Sequence, residues 1–208
     1  MSAFSYFTIS QAATGQYKEK GSRFLGFAYP VSSEAGIKVQ LEAVRKTYFD
    51  ARHHCFAWIL GSDGSHIKAF DDGEPHHSAG GPILGQIRSR GLTNVLVVVV
   101  RYFGGTKLGV GGLVQAYRTA AAAALANASV VEVEVTQRVA IKFPYENTPA
   151  IMQMVKELDM DIVGRDYGET CCLTAEVKLR VWKMFQDKAA LLKATGTTVE
   201  WKEIISHD

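Results

Sequence analysis

The chain has 208 residues, enough for one large domain or two small ones, and its apolar and charged fractions of 47% and 21% are ordinary for a soluble globular protein. Net charge is only +2, with Lys and Arg interspersed among Asp and Glu. No polybasic tail offers a strong nucleic-acid grip, so charge alone predicts weak, local or protein-mediated contacts with RNA. MSAFSYFTIS at the N-terminus lacks a basic stretch and an apolar core, which argues against a signal peptide. The longest apolar run, Val95 to Val100, is far too short to span a bilayer, so no membrane role is expected. Cys55, Cys171 and Cys172 are an odd and sparse set, which argues against a disulfide framework and for the cytoplasm.

Lys18 to Val31 alternates loosely and suits one or two strands. Ser33 can cap a helix that carries Ile37, Leu41 and Val44 on one face. His53 to Leu60 is rich in strand formers, GSDGS supplies a turn, and His66 to Phe70 returns as a second strand. Asp71 to Gly81 is polar, with glycine and proline, and reads as a loop in which Asp72-Gly73 is a turn. Pro82 fits the first turn of a short helix bearing Ile83, Leu84 and Ile87, ended by Gly91. Val95 to Val100 has no alternation, the pattern of a strand buried on both faces and therefore central in its sheet. Leu113 to Ala126 is alanine-rich and helical, its small side chains suited to close approach.

A second unit starts after Asn127-Ala128-Ser129. Val130 to Phe143 reads as a strand, with Thr148-Pro149 opening a helix on Ile151, Met154, Val155 and Leu158. Asp161 to Tyr167 and Cys171 to Leu179 form a hairpin around Gly168. Trp182, Phe185, Ala189 and Leu192 line a second helix, Gly196 ends it, and Thr197 to Ile205 is a last strand. That order, βαββαβ, is the split arrangement of a ferredoxin-like domain. The domains are expected at 1–128 and 129–208.

Chemistry concentrates in two places. The first is the junction Val95 to Tyr117, where an apolar strand ends in Arg101-Tyr102-Phe103 and five glycines follow: Gly104, Gly105, Gly109, Gly111 and Gly112. A strand–glycine loop–helix junction leaves backbone N–H groups free at a helix start, where anions bind, and Arg101 and Lys107 add positive charge. The other reading is that these glycines only permit tight turns and close packing. The string matches neither the P-loop order nor the dinucleotide fingerprint. Tyr102 and Phe103 read first as core residues, and second as platforms for a base.

The second place holds His53, His54, Asp71, Asp72, Glu74, His76 and His77. Three readings fit: metal ligation, acid–base catalysis, or a polar recognition surface that also satisfies loop hydrogen bonds. Adjacent histidines on a strand diverge, so only one of His53 and His54 can point inward. The spacing fits no standard zinc pattern and no nucleophile-plus-base motif is visible, so no catalytic residue, metal or cofactor is assigned. Whether His76 and His77 add a metal site stays open.

RYFGGTKLGVGGLVQAY closely resembles the signature of the IMPACT family in its bacterial YigZ-like branch, and DARHHCFAW and FDDGEPHHSAGGPIL upstream resemble its other two blocks, all three in the family's order. The resemblance implies an α+β chain: an N-terminal domain with the fold of ribosomal protein S5 domain 2, then a ferredoxin-like domain. That pair resembles consecutive domains of elongation factor G. His76 and His77 replace small residues of the pattern, and Phe70 stands where a serine is common. The expectation is a cytoplasmic, translation-associated regulatory binding protein, a monomer or weak homodimer. It would contact RNA, ribosomal components or a translation factor through its N-terminal-domain loops. The alternative is a hydrolase-like, metal-assisted enzyme acting on a small phosphorylated or anionic substrate.

Overall fold

The computed structural model describes residues 4–168 and 170–204, so the expected strand end at Ile205 lies outside the described residues. Among the described residues the chain is α+β, with three sheets and five α-helices, and these residues divide into two compact units, one of residues 5–133 and one taking in residue 4, residues 134–168 and residues 170–204. Among the described residues no helix is long and apolar enough to cross a membrane.

In the first unit the strands β2 (Ala13–Glu19), β3 (Ser22–Pro30), β4 (His53–Leu60), β5 (His66–Phe70) and β6 (Val95–Tyr102) form one sheet of order β2-β3-β6-β4-β5, antiparallel at every pairing. β6 is central, as its unbroken apolar run requires. Its alternation splits the core in two. Val95, Val97 and Val99 pack toward α2 (Gly80–Ser89) and α3 (Gly109–Ala126). Leu96, Val98 and Val100 pack with Ile37 and Val44 of α1 (Glu34–Thr47). Ser33 caps α1 by accepting from the Gly36 N–H at 3.2 Å, the cap its position predicts.

β5 and β6 both run antiparallel to β4, hence parallel to each other. α2 follows β5 and α3 follows β6, so both helices start at the same end of the sheet. Their other ends also meet: the Arg90 guanidinium, at the C-terminus of α2, donates to the Ala122 and Leu125 carbonyls in the last turn of α3 at 3.2 and 3.1 Å. α3 lies against β2 and β3 because neither surface has side-chain bulk there. A Cβ on Gly15 would collide with the Ala124 nitrogen, and one on Gly26 would fall 2.5 Å from the Ala120 carbonyl oxygen.

Val130 to Phe143 is not one strand. It breaks at Val135 into β7 (Val130–Glu134), which pairs with β1 (Ser5–Ile9) in a two-stranded sheet, and β8 (Thr136–Pro144), which enters another sheet. Alternation continues through the break, so periodicity alone did not reveal it. β1 itself lay outside the predicted elements. Lys18 to Val31, expected as one or two strands, holds the end of β2 and all of β3, and β2 begins five residues earlier, at Ala13.

In the second unit β8, α4 (Thr148–Glu157), β9 (Asp161–Tyr167), β10 (Thr170–Lys178), α5 (Trp182–Ala194) and β11 (Glu200–Glu203) follow the βαββαβ order, and the sheet order is β11-β8-β10-β9. One sheet face, with Val139, Ile141, Phe143, Leu173 and Ala175, packs with Ile151 and Met154 of α4 and Phe185 of α5. Cys171 is buried in that core while its neighbour Cys172 is half-buried on the opposite face, and all three cysteines are free.

The glycine–alanine seam gives a direct test. Gly15→Ala should lower unfolding stability by about 1–3 kcal/mol, because the clash is with backbone that cannot rotate away. Gly85→Ala, on a helix with nothing within 4 Å, should leave stability unchanged or raise it by up to about 1 kcal/mol. Equal urea midpoints for wild type and Gly15→Ala would disprove the close packing.

Candidate functional site

Arg101 continues the alternation of Val95, Val97 and Val99, so its side chain enters the α2/α3 face of the sheet. There it meets Glu74, from the loop after β5: Nη1 lies 2.6 Å from Glu74 Oε1, and both side chains are more than nine-tenths buried. The Tyr117 hydroxyl, from α3, donates to the same carboxylate oxygen at 2.7 Å. The Arg101 guanidinium sits 5.5 and 5.7 Å from the centroids of the Phe24 and Phe103 rings. Its Nε is buried with no hydrogen-bond partner among the described residues. Three elements thus converge on one carboxylate: central strand, polar loop and long helix.

Cys55 pairs across the strands with Val99 and faces the same cluster. Its Sγ lies 2.9 Å from the Asp71 carbonyl oxygen and 3.3 Å from the Tyr117 hydroxyl oxygen. Burial, with smaller coulombic contributions from Glu74, Asp72 and Asp71, pushes its thiol far up, out of the reactive range. Burial likewise raises the Tyr117 phenol, which stays protonated and serves as a donor. Sequence reasoning singled out neither residue for this cluster; the strand register is what brings Cys55 to Arg101's face.

The two histidines diverge as strand geometry requires. His53, opposite Arg101 in the register, places Nδ1 2.8 Å from the Asp72 carbonyl oxygen. A carbonyl only accepts, so that nitrogen carries the proton. His54 points to the other face, where Nε2 lies 3.0 Å from the Tyr48 carbonyl oxygen. Its backbone N–H donates to Asp72 Oδ2 at 2.7 Å, and its Nδ1 is 3.8 Å from the same oxygen. Asp72 and Gly73 both have positive φ, 43° and 83°, which makes the tight turn predicted from that dipeptide.

Asp71 has a different task. Its Oδ1 accepts from the Ala79 and Gly80 N–H groups at 3.0 and 2.8 Å, and its Oδ2 accepts from the His77 N–H at 2.9 Å. The carboxylate therefore sits at the start of α2 as a built-in anion. Burial works to raise its pKa, but the three N–H donors together outweigh burial and hold the carboxyl below its usual range.

The start of α3 differs. It has no side-chain cap and no acidic residue in its first turn. Only Gly104 of the five glycines sits against backbone: a Cβ there would collide with the Gly21 carbonyl carbon. Gly112 faces only the Leu108 side chain, and a Cβ on Gly105, Gly109 or Gly111 would meet nothing within 4 Å. Positive φ explains Gly105 and Gly109, at 87° and 72°; Gly111 has neither constraint. Phe103 is 57% exposed beside this loop rather than in the core, while Tyr102 is half-buried and its hydroxyl donates to Asp50 at 2.7 Å. Lys107 is exposed.

Between α2 and α3 runs an open groove of about 490 Å³, lined by His77, Gly81, Pro82, Gly85, Gln86, Val114 and Arg118. Arg118 was not among the predicted site residues. The signal for it was its position as the one charged residue in the alanine-rich helix sequence. Arg101 and Glu74 lie buried away from solvent; Lys107, the outer glycines and Arg118 lie at the surface.

These features define a class: an α+β protein whose sheet end gathers two helix starts, one occupied by its own carboxylate and one built from glycine. Residues 20–125 match the family described as Impact N-terminal domain. The chain is 38% identical over 128 residues to IMPACT family member YvyE of Bacillus subtilis, covering 62% of this chain and 59% of that relative. It is 35% identical over 150 residues to IMPACT family member YigZ of Escherichia coli, covering 71% of this chain and 74% of that relative. A crystal structure described as that of a hypothetical protein is similar over 100% of both chains, with 28% identity and a TM-score of 0.76. The chain belongs to the IMPACT family.

The buried pair makes its own prediction. Glu74→Ala should destabilise the chain by about 3–5 kcal/mol, since it leaves Arg101 charged, buried and unpaired. Glu74→Leu with Arg101→Met should recover most of that loss. Equal stabilities for the single and double variants, from guanidinium melts, would show that the ion pair does not organise the cluster.

Proposed function

We propose that this protein is a translation-associated binding protein that holds phosphate groups of RNA at the glycine loop of its first unit. The observation that carries the reading is the start of α3. Its first turn is glycine-rich, uncapped by any side chain and free of acidic residues, and at Gly111 the absent side chain answers no steric or conformational need among the described residues. Free N–H groups at a helix start bind anions, and neighbouring glycines let a ligand's phosphate approach the backbone closely. Asp71 at the start of α2 supports the same chemistry by example.

Lys107 and Arg118 supply exposed positive charge, and neither joins an ion pair among the described residues. Exposed Phe103 offers a ring on which a base could stack. Arg101 acts from behind: it holds Glu74, and with it the Asp71–Gly81 loop, against the sheet. Contacts of this kind position a backbone without reading sequence, which suits the small net charge. The groove beside Arg118 is open, and Glu74, Tyr117, Cys55 and Arg101 engage one another inside the core, which favours binding over catalysis. An S5-domain-2-like first domain over 1–128, a ferredoxin-like second domain over 129–208 and a cytoplasmic location belong to the same proposal. The βαββαβ order with its β11-β8-β10-β9 sheet supports the ferredoxin-like part.

The test is fluorescence anisotropy of labelled single-stranded and duplex RNA over a range of salt. Lys107→Gln with Arg118→Gln should weaken binding and flatten the salt dependence by about one to two phosphate contacts. Gly111→Ala should weaken binding while leaving the melting temperature unchanged or higher, since the helix gains propensity and nothing is displaced. Wild-type binding that is absent, or unchanged in all these variants, would overturn the reading.

A further inference from the structure

Among the described residues, a compact set of metal-ligating atoms lies on the loop that leads into α2. Ligand atoms of Asp71, His76 and His77 all fall within 4.8 Å of one another. His77 has φ of 61°, a left-handed conformation unusual for a residue with a side chain, and this fold of the backbone lays its ring beside that of His76, centroids 3.7 Å apart. His76 Nδ1 is 3.8 Å from Asp71 Oδ2. We propose that Asp71, His76 and His77 form a binding site for a divalent transition-metal ion such as Zn²⁺ or Co²⁺.

The donor chemistry is consistent. Two imidazoles and one carboxylate suit these ions at about 2.0–2.2 Å from each ligand atom. The backbone N–H groups leave Asp71 capacity for this: Oδ1 accepts two, from Ala79 and Gly80, but Oδ2 accepts only one, from His77, so a lone pair on Oδ2 remains for a cation. Both imidazoles are exposed, so their rings can rotate the short distance needed to converge. The carboxylate is already locked by three hydrogen bonds and needs no ordering. The positive end of α2 opposes a cation here, but at an exposed site that costs only a few-fold in affinity. Three protein ligands leave coordination positions open to water or to an incoming group. His77 also lines the groove between α2 and α3, so the site borders that groove. This proposal stands independently of RNA binding at the start of α3.

Full-length protein with any affinity tag removed is titrated with Co²⁺ and Zn²⁺ by calorimetry, with Co²⁺ ligand-field absorption read in parallel. The expected result is one ion per chain, weakened at least about tenfold by His76→Ala and by His77→Asn. Metal should raise the melting temperature of the wild type but not of the two variants. The variants should melt like the wild type in chelator, because neither imidazole is buried; His77→Asn keeps a residue that tolerates positive φ. No stoichiometric binding by the wild type would overturn the proposal. So would undiminished binding in both variants, which would place the ion elsewhere on the chain.

Discussion

The structure of the first unit depends on one buried ion pair, Arg101 with Glu74. A central strand that has been apolar for six residues ends in a charge that stays inside, more than nine-tenths buried, and this is tolerable only because the partner is 2.6 Å away. Desolvating two charges costs several kcal/mol, and their attraction balances that only with good geometry and further hydrogen bonds. Tyr117 provides one such bond and two aromatic rings flank the guanidinium. The pair is therefore less a source of net stability than a constraint on arrangement. Any conformation that separates the Glu74 loop from β6 strands a charge in the core.

That constraint propagates outward. Glu74 lies in a tight stretch in which its own N–H donates to the Asp71 carbonyl at 2.9 Å, with Asp72 and Gly73 turning between them. Fixing Glu74 thus fixes Asp71 and Asp72. Asp72 then ties to the backbone of His54 on β4, and Asp71 ties to the first N–H groups of α2. The start of α2 is pressed so close to β5 that a Cβ on Gly80 would fall 2.5 Å from the Phe70 nitrogen. Fixed support beneath, exposed residues above: this division lets the loop present His76, His77 and the groove from a backbone already held in place, which lowers the ordering cost of binding.

Much of this was legible in the sequence. Apolar periodicity located α1, strand-forming composition β4, the turn after it β5, and alanine content α3, while the absence of alternation in Val95 to Val100 placed β6 at the centre. Turn chemistry located Asp72-Gly73. Divergence of adjacent strand side chains separated His53 from His54, and Cys171 from Cys172. The polar cluster was legible as a set but not as a division of labour. Sequence cannot say that Asp71 caps a helix, Asp72 pins a strand and Glu74 enters the core, because those roles depend on which loop atoms face which element. The same holds for the five glycines. Identical residues in one string answer to different causes: backbone contact at Gly104, positive φ at Gly105 and Gly109, the Leu108 side chain at Gly112, and none among the described residues at Gly111. The division of Val130 to Phe143 was hidden because β7 and β8 alternate in continuous phase.

Arg101 shows where charge counting misleads. Read along the chain, it and Lys107 are two cations flanking a glycine loop, equal candidates for an anion. In the fold, register assigns them opposite fates: Arg101 points inward with the odd residues of β6, and Lys107 stays at the surface. The field that a phosphate would meet at the start of α3 is then made by backbone dipoles, Lys107 and Arg118, with Arg101 already neutralised by Glu74. Backbone dipoles act only within about one helical turn, and exposed lysine is screened by salt. An anion held by such a set must come close, and the glycines are what allow it to. The absence of side chains at this surface is accordingly as much a part of the site as the cations beside it.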